Sequence, residues 1–402
     1  MTIATSRTLI PLVGLLLATP LKAAISIPGA DGSDGAFSPT QATVVDLGQA
    51  VPGVWNASNA ANAGKGVFDS DKWAVVYKYS SVNIGAGVTV QFKNHPSNAP
   101  VVWLVSGNVT IGPGATVLLT GQDQQVGTAA DKPTEPGPGG FRGGASGSTY
   151  SPAGPGGGPG GGATYAGYGA PGYAPSGPVY GNPQILPLIG GSGGGGLNPS
   201  YSGGAGGGAI LIAATGTISV SGYINAMGGN GQYFGSGGAI RLVADTINVS
   251  AQNGLNALAG GGNAISAGRI RLEANSFTLA GISPTPSTAP PAAVPVIFPP
   301  SQPKTVITKV DAINVSSDPQ SEFSQENPTV VNIAKTTAAK ITIAATNVPS
   351  TWTMTVRSAP RNGTEVIANA IKISGDDVSS VWTADIVLPL GYNALQVRAI
   401  KP

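Results

Sequence analysis

Gly208-Ala209-Ile210-Leu211-Ile212-Ala213-Ala214 is echoed thirty residues later by Gly238-Ala239-Ile240-Arg241-Leu242-Val243-Ala244, and after another thirty by Gly268-Arg269-Ile270-Arg271-Leu272-Glu273-Ala274. Each copy is followed by a second short alternation: Ile218-Ser219-Val220, Ile247-Asn248-Val249 and Phe277-Thr278-Leu279. Upstream, Val82-Asn83-Ile84-Gly85-Ala86-Gly87-Val88-Thr89-Val90 recurs 27 residues on as Val109-Thr110-Ile111-Gly112-Pro113-Gly114-Ala115-Thr116-Val117. A fixed period of this size, with short strands in every unit, is the mark of a solenoid and predicts a parallel β-helix. One coil cannot bury its own apolar face, but coils stacked ~4.8 Å apart can. Ile210, Ile240 and Ile270 are then expected to stack inward, and Leu211, Arg241 and Arg271 outward toward solvent. Hairpins in an antiparallel sandwich also give short strands, but nothing in them requires a constant thirty-residue register.

Three departures from this pattern divide the rest of the chain. Residues 122–204 hold 27 Gly, 12 Pro and six of the eleven Tyr, at positions Tyr150, Tyr165, Tyr168, Tyr173, Tyr180 and Tyr201. No strict Gly-X-Y period runs through them, so a collagen helix is not indicated. The segment is read either as an idle loop or as a packed, adhesive layer. In the second case the six tyrosines are the surface-contact candidates, because Tyr offers large area at low entropic cost. Residues 283–304 are proline-rich and read as an extended linker. In residues 305–402, runs such as Lys340-Ile341-Thr342-Ile343 and Trp352-Thr353-Met354-Thr355-Val356 alternate with period two, separated by turn signals. That pattern predicts an Ig-like β-sandwich. The expected organisation is an all-β chain: signal peptide 1–23, β-helix 24–282 with the insert at 122–204, linker 283–304 and sandwich 305–402.

A secretory leader is expected from Arg7, the short apolar run Leu9 to Ala18 and the small pair Ala23-Ala24. The run falls short of the ~20 residues that span a bilayer, so cleavage and export are expected, with no transmembrane segment in the mature chain. Without Arg7 and Lys22, the remaining 18 basic side chains balance the 18 acidic ones. A neutral chain without clustered Lys or Arg argues against nucleic acid as a partner. With no Cys and one His, disulfides, Cys-based zinc sites and multi-His metal centres are excluded.

Several stretches resemble a known group of proteins. They are Phe68-Asp69-Ser70-Asp71-Lys72-Trp73-Ala74-Val75-Val76, Phe92-Lys93-Asn94-His95-Pro96, Val101-Val102-Trp103-Leu104-Val105, Pro138-Gly139-Gly140-Phe141-Arg142-Gly143-Gly144 and Gly206-Gly207-Gly208-Ala209-Ile210-Leu211-Ile212. Over residues 29–281 the chain resembles uncharacterised, secreted glycine-rich bacterial proteins with a pectin-lyase-like parallel β-helix. The tail, ending Val387-Leu388-Pro389-Leu390-Gly391-Tyr392, is similar to bacterial Ig-like repeats. The resemblance implies export and fold, and carries no catalytic residues.

Chemistry is sparse in the sequence itself. Asp245 and Glu273 fall on outward positions of adjacent repeats, displaced by two residues. That diagonal of ~7–8 Å lies within the range of an inverting glycosidase pair. Arg241, Arg269 and Arg271 beside them make a surface charge ladder the simpler account. Asp31-Gly32-Ser33-Asp34-Gly35 and Asp69-Ser70-Asp71 suggest calcium but do not complete its loop motif, and read as turns. Gly190-Gly191-Ser192-Gly193-Gly194 matches a nucleophile-elbow pattern by chance in glycine-rich sequence. His95 sits in a turn with no carboxylate partner nearby. The expectation is a secreted, non-catalytic structural or adhesive protein of the bacterial surface or extracellular matrix, with no metal or cofactor. Its expected partners are further copies of itself or an extracellular polysaccharide. A carbohydrate-active hydrolase or lyase using Asp245 and Glu273, or a glycan-binding module, is the alternative.

Overall fold

The structure, a computed structural model, describes residues 25–147, 153–158, 179–197, 199–315, 338–361 and 363–402. Among the described strands between Gly35 and Ala289, only Val67–Asp69 pairs antiparallel, against Ala74–Ile84; the other pairings are parallel. The thirty-residue spacing appears as strand register. Ile210 lies opposite Ile240 and Ile240 opposite Ile270, while Leu211, Arg241 and Arg271 form the next row. Val101–Val105 pairs directly with Ala209–Ala214, so the long insert interrupts two neighbouring strands without parting them.

The strands nevertheless do not build a regular solenoid. Ala74–Ile84 and Ala239–Val249 are eleven residues long and each pairs with two successive shorter strands. The rows that would be separate sides of a coil thereby merge into one eleven-stranded sheet. Six short strands, from Thr43–Asp46 to Ile282–Ser283, form a second parallel sheet. Ile210, Ile240 and Ile270 from the first sheet meet Val90, Val117, Ile224 and Leu255 from the second in one core. The expected parallel β-helix is therefore corrected to a closed parallel barrel.

The Ig-like sandwich is corrected as well. The described residues from Lys304 onward form one continuous seven-stranded antiparallel sheet, curled into a half-barrel. Val366–Gly375 is the reason. Its first half pairs with Thr353–Pro360 and its second half with Ser379–Ile386, joining what a sandwich would keep as two sheets. Trp382, Ile341, Ile343, Met354 and Val356 fill its concave side.

The outer face of the eleven-stranded sheet is not the solvent-facing surface expected of it. Leu211 and Arg241 are buried there, beneath Ile25, Ile27, Ile185, Leu188 and Ile297. The proline-rich segment supplies part of this cover. Ser287–Ala289 adds a strand to Arg269–Leu279, Ser26 N–H donates to the Ala293 carbonyl (2.9 Å), and Phe298 packs edge-on to Trp55 (5.1 Å). The segment is extended, as expected of a linker, but it lies docked along the sheet.

The described glycine runs pack as a layer without strand ladders. Along residues 203–208 each N–H reaches a different neighbour in turn. Gly203 and Gly206 donate to the Gly144 and Phe141 carbonyls, Gly204 and Gly207 to Tyr233 and Ser236, and Ala205 and Gly208 to Gln122 and Leu119 (2.7–3.0 Å). A neighbour shared at every third residue is the geometry of an extended threefold helix with no internal hydrogen bonds. Chains hydrogen-bonded on three sides leave no space for a side chain, as at the axis of collagen. A methyl group on Gly206 would overlap the Gly191 carbonyl oxygen, and one on Gly193 that of Arg142.

Gly206→Ala is therefore expected to destabilise by about 2–3 kcal/mol or more, the range of overpacking in a core that cannot yield. Gly85→Ala is the control, since its new methyl group would find only ordinary contacts, beginning with Val88 at 3.6 Å. Urea denaturation showing equal losses for the two variants would refute the packed layer.

Candidate functional site

The tyrosines of the insert separate into different environments. Tyr150, Tyr165, Tyr168 and Tyr173 lie outside the described residues. Tyr180 is not a surface contact. It is buried, its hydroxyl donates to the Gly190 carbonyl (2.6 Å), and its own carbonyl accepts from Arg269 Nη2 (3.0 Å). It ties the insert to both the glycine layer and the barrel. Tyr201 is half-buried and exchanges backbone hydrogen bonds with Leu197 (2.7 and 3.1 Å). Ser192, the centre of the apparent nucleophile elbow, is fully buried and reaches the Tyr180 hydroxyl (3.2 Å). It is a member of the glycine layer.

The segments flanking the undescribed tyrosines are anchored in that layer. Gly157 N–H donates to Arg142 (2.7 Å) and Gly193 N–H to Gly157 (3.2 Å). From the other side the half-barrel adds charged donors: Arg357 Nη2 reaches the Gly156 carbonyl (2.7 Å) and Arg361 Nε the Asp131 carbonyl (2.8 Å). Hydrogen bonds from a charged donor are the stronger kind, and here they fasten the tail to the glycine layer.

Asp245 and Glu273 have the diagonal relation that the repeat implies, because Val243 is opposite Glu273 and stands two residues before Asp245. Their carboxylates are engaged separately. Glu273 Oε1 accepts from Arg241 Nε and Nη2 (3.0 Å each) and lies 3.4 Å from Arg271 Nε. Asp245 accepts from Asn275 Nδ2 (2.9 Å). Arg241 is 3% exposed and donates a further bond to the Val296 carbonyl (2.9 Å). The charge ladder expected at the surface is thus an ion pair sealed by the proline-rich segment.

The acidic turns behave as turns. Asp31 Oδ1 accepts from Ser33 N–H (2.9 Å), and Asp69 accepts from the N–H groups of Trp55, Asp71 and Lys72 (2.9–3.0 Å). Asp71 pairs with Lys304 (2.8 Å), whose ammonium holds the carboxyl below the usual carboxylate range. Among the described residues no three metal-ligating side chains come together. His95 is buried, stacked on Phe68 with ring centroids 4.0 Å apart, and its Nδ1 lies 2.8 Å from Ser97 Oγ.

At the other end of the barrel the Asp31–Asp34 turn meets two residues the sequence did not single out, Lys78 and Asn59. Lys78 is fully buried; its amine bonds the Ala57 carbonyl and lies 3.7 Å from Asp31. Asp34 Oδ2 accepts from Lys78 N–H (2.6 Å) and Asn59 Nδ2 (2.7 Å). Burial pushes the Asp34 carboxyl up and the Lys78 ammonium down from their ordinary ranges. The alternation Tyr77-Lys78-Tyr79 was the available signal. A lysine between two tyrosines of one strand must face away from them, and the covered outer face makes that direction buried too. Compared with protein families, curated proteins and solved structures, the chain matches none.

Removing Arg241 alone, as Arg241→Leu, is expected to cost about 3 kcal/mol or more, since Glu273 would keep only the longer contact to Arg271 in a buried site. The double variant Arg241→Leu/Glu273→Leu should cost less than Arg241→Leu, because no buried charge is then stranded. Urea denaturation decides. A double variant that loses the sum of the two single effects would show that the pair is not coupled.

Proposed function

We propose that the chain is an exported, non-catalytic structural or adhesive protein, in which a rigid glycine layer mounts a tyrosine-rich insert. The observation that supports this reading is the anchoring of both flanks of residues 159–178, by Gly156 and Gly157 on one side and Tyr180 on the other. Loops that act by contact gain from a fixed base, which lowers the entropy lost on association. The undescribed stretches contribute Tyr150, Tyr165, Tyr168 and Tyr173, separated by Gly, Pro and Ala. In a chain of balanced charge, aromatic area is the available source of interface energy. Ile25 and Ile27, immediately after the expected cleavage site, are buried against the barrel, which fits a mature protein starting near Ala24. No helix among the described residues is long and apolar enough to cross a membrane.

Replacing Tyr150, Tyr165, Tyr168 and Tyr173 by Ser is expected to leave the melting temperature unchanged and to weaken self-association or retention on cells several-fold. Analytical ultracentrifugation and a cell co-sedimentation assay provide the readouts. Undiminished association and retention in the four-residue variant would remove the insert from the mechanism. Mass spectrometry of the exported protein should find its first residue near Ala24, and an intact Met1 outside the cell would count against export through this leader.

A further inference from the structure

Two nearly buried phenols stand without partners at the N-terminal end of the barrel. Tyr77 is 2% and Tyr79 4% exposed, no described residue hydrogen-bonds either hydroxyl, and what exposure remains is toward a cavity. Burial also drives the hydroxyls of both residues above the usual phenol range, so they remain protonated and able to donate. Both residues line a cavity of about 320 Å³. Asp34, Asp46, Gln49 and Lys65 supply the rest of its polar wall, and Ala36 and Gly64 stand exposed on it.

The rings that form its floor are held rigidly. Phe37, Tyr79 and Tyr77 make a continuous stack, with centroid separations of 5.1 and 5.4 Å and interplanar angles of 19° and 14°. Trp103 meets Tyr79 edge-on at 5.9 Å. The hydroxyls are therefore fixed in place, with no rotamer freedom to lose when a ligand arrives. Buried polar atoms at this end also lack partners: Oδ1 of Asp34, Oδ1 of its neighbour Asn59 and Nε1 of Trp103.

The charges around the cavity cancel. Asp46 is paired with Lys93 (2.9 Å), while Asp34 and Lys65 complete the set. A strongly anionic or cationic ligand would meet no net attraction. A ligand that is neutral, compact and dense in hydroxyl groups matches the site, since each hydroxyl both donates and accepts. The volume lies at the small end of ligand pockets, enough for one such ring.

We propose that this end cavity binds a single neutral saccharide unit, held by the Tyr77 and Tyr79 hydroxyls, the Asp34 carboxylate and the Gln49 amide. The assignment extends the adhesive reading by naming a class of partner, yet it fails separately, because different tyrosines and different assays test the two.

Tyr77→Phe and Tyr79→Phe remove the hydroxyls and leave the ring stack intact. The probes are glucose, galactose and N-acetylglucosamine, titrated into the full chain by calorimetry and ligand-observed NMR at millimolar concentration, with glucuronate and choline as charged comparators. At least one neutral sugar should bind in preference to both comparators. The double Phe variant should weaken that binding by about tenfold or more, as expected for two lost hydrogen bonds. Its melting temperature should stay unchanged, because no protein partner is lost. Each single variant carries the same test with one hydroxyl removed. Binding by none of the three sugars, preference for glucuronate or choline, or an affinity indifferent to the hydroxyls would each overturn the assignment.

Discussion

A backbone carbonyl standing where a side chain would begin is the constraint on which this molecule depends. Each glycine chain in the layer is bonded on three sides, so backbone groups satisfy one another without forming a conventional sheet. Close approach of carbonyl oxygens to Cα atoms adds weak contacts along the whole length. Such a layer needs neither charge nor a large apolar side chain. It accounts for a chain that is rich in glycine and poor in charged residues yet buries much of what it contains. It also joins parts far apart in sequence: the insert threads it, the barrel adds residues 233–237 to it, and Arg357 and Arg361 of the half-barrel close on its carbonyls.

The second organising feature is the cover over the outer face of the large sheet. A parallel sheet buried on both faces needs apolar residues on both, and Leu211, Val102, Leu104 and Val243 meet that need. Where a charge falls on the same face, it must carry its partner with it. Arg241 does so with Glu273, and Lys78 with Asp31 and the Ala57 carbonyl. Such pairs are poor evidence of stability, but they constrain which segment can lie over them. The Val296 carbonyl, accepting from Arg241, gives the proline-rich segment a defined seat.

The register of the parallel strands was legible in the sequence because Gly208, Gly238 and Gly268 mark it at a fixed spacing, and inward Ile210, Ile240 and Ile270 follow from alternation alone. The outward face was misread at Arg241. Alternation tells which side of a strand a residue occupies, not whether another segment lies on that side, and the covering residues come from 25–27, 185–188 and 297–298. The closed barrel and half-barrel were hidden for a similar reason: strand period says nothing of whether two rows merge through one long strand, as they do at Ala74–Ile84 and again at Val366–Gly375. In the insert, composition left loop and packed layer open, since the threefold hydrogen-bond pattern lies between segments and leaves no Gly-X-Y trace within any one of them. Tyr77 and Tyr79 carry no mark in the sequence, and only the fold places both on a cavity.

The layer also has a consequence for the order of events during synthesis. Residues 203–208 draw their partners from 119–122 before them and 233–236 after them, and Val101–Val105 waits for Ala209–Ala214 across the whole insert. Little of the middle of the chain can close until residues beyond 236 have emerged, and contacts this distant in sequence form slowly. The middle of the chain stays open until then, and it acquires its stiffness only once the last glycine run has arrived.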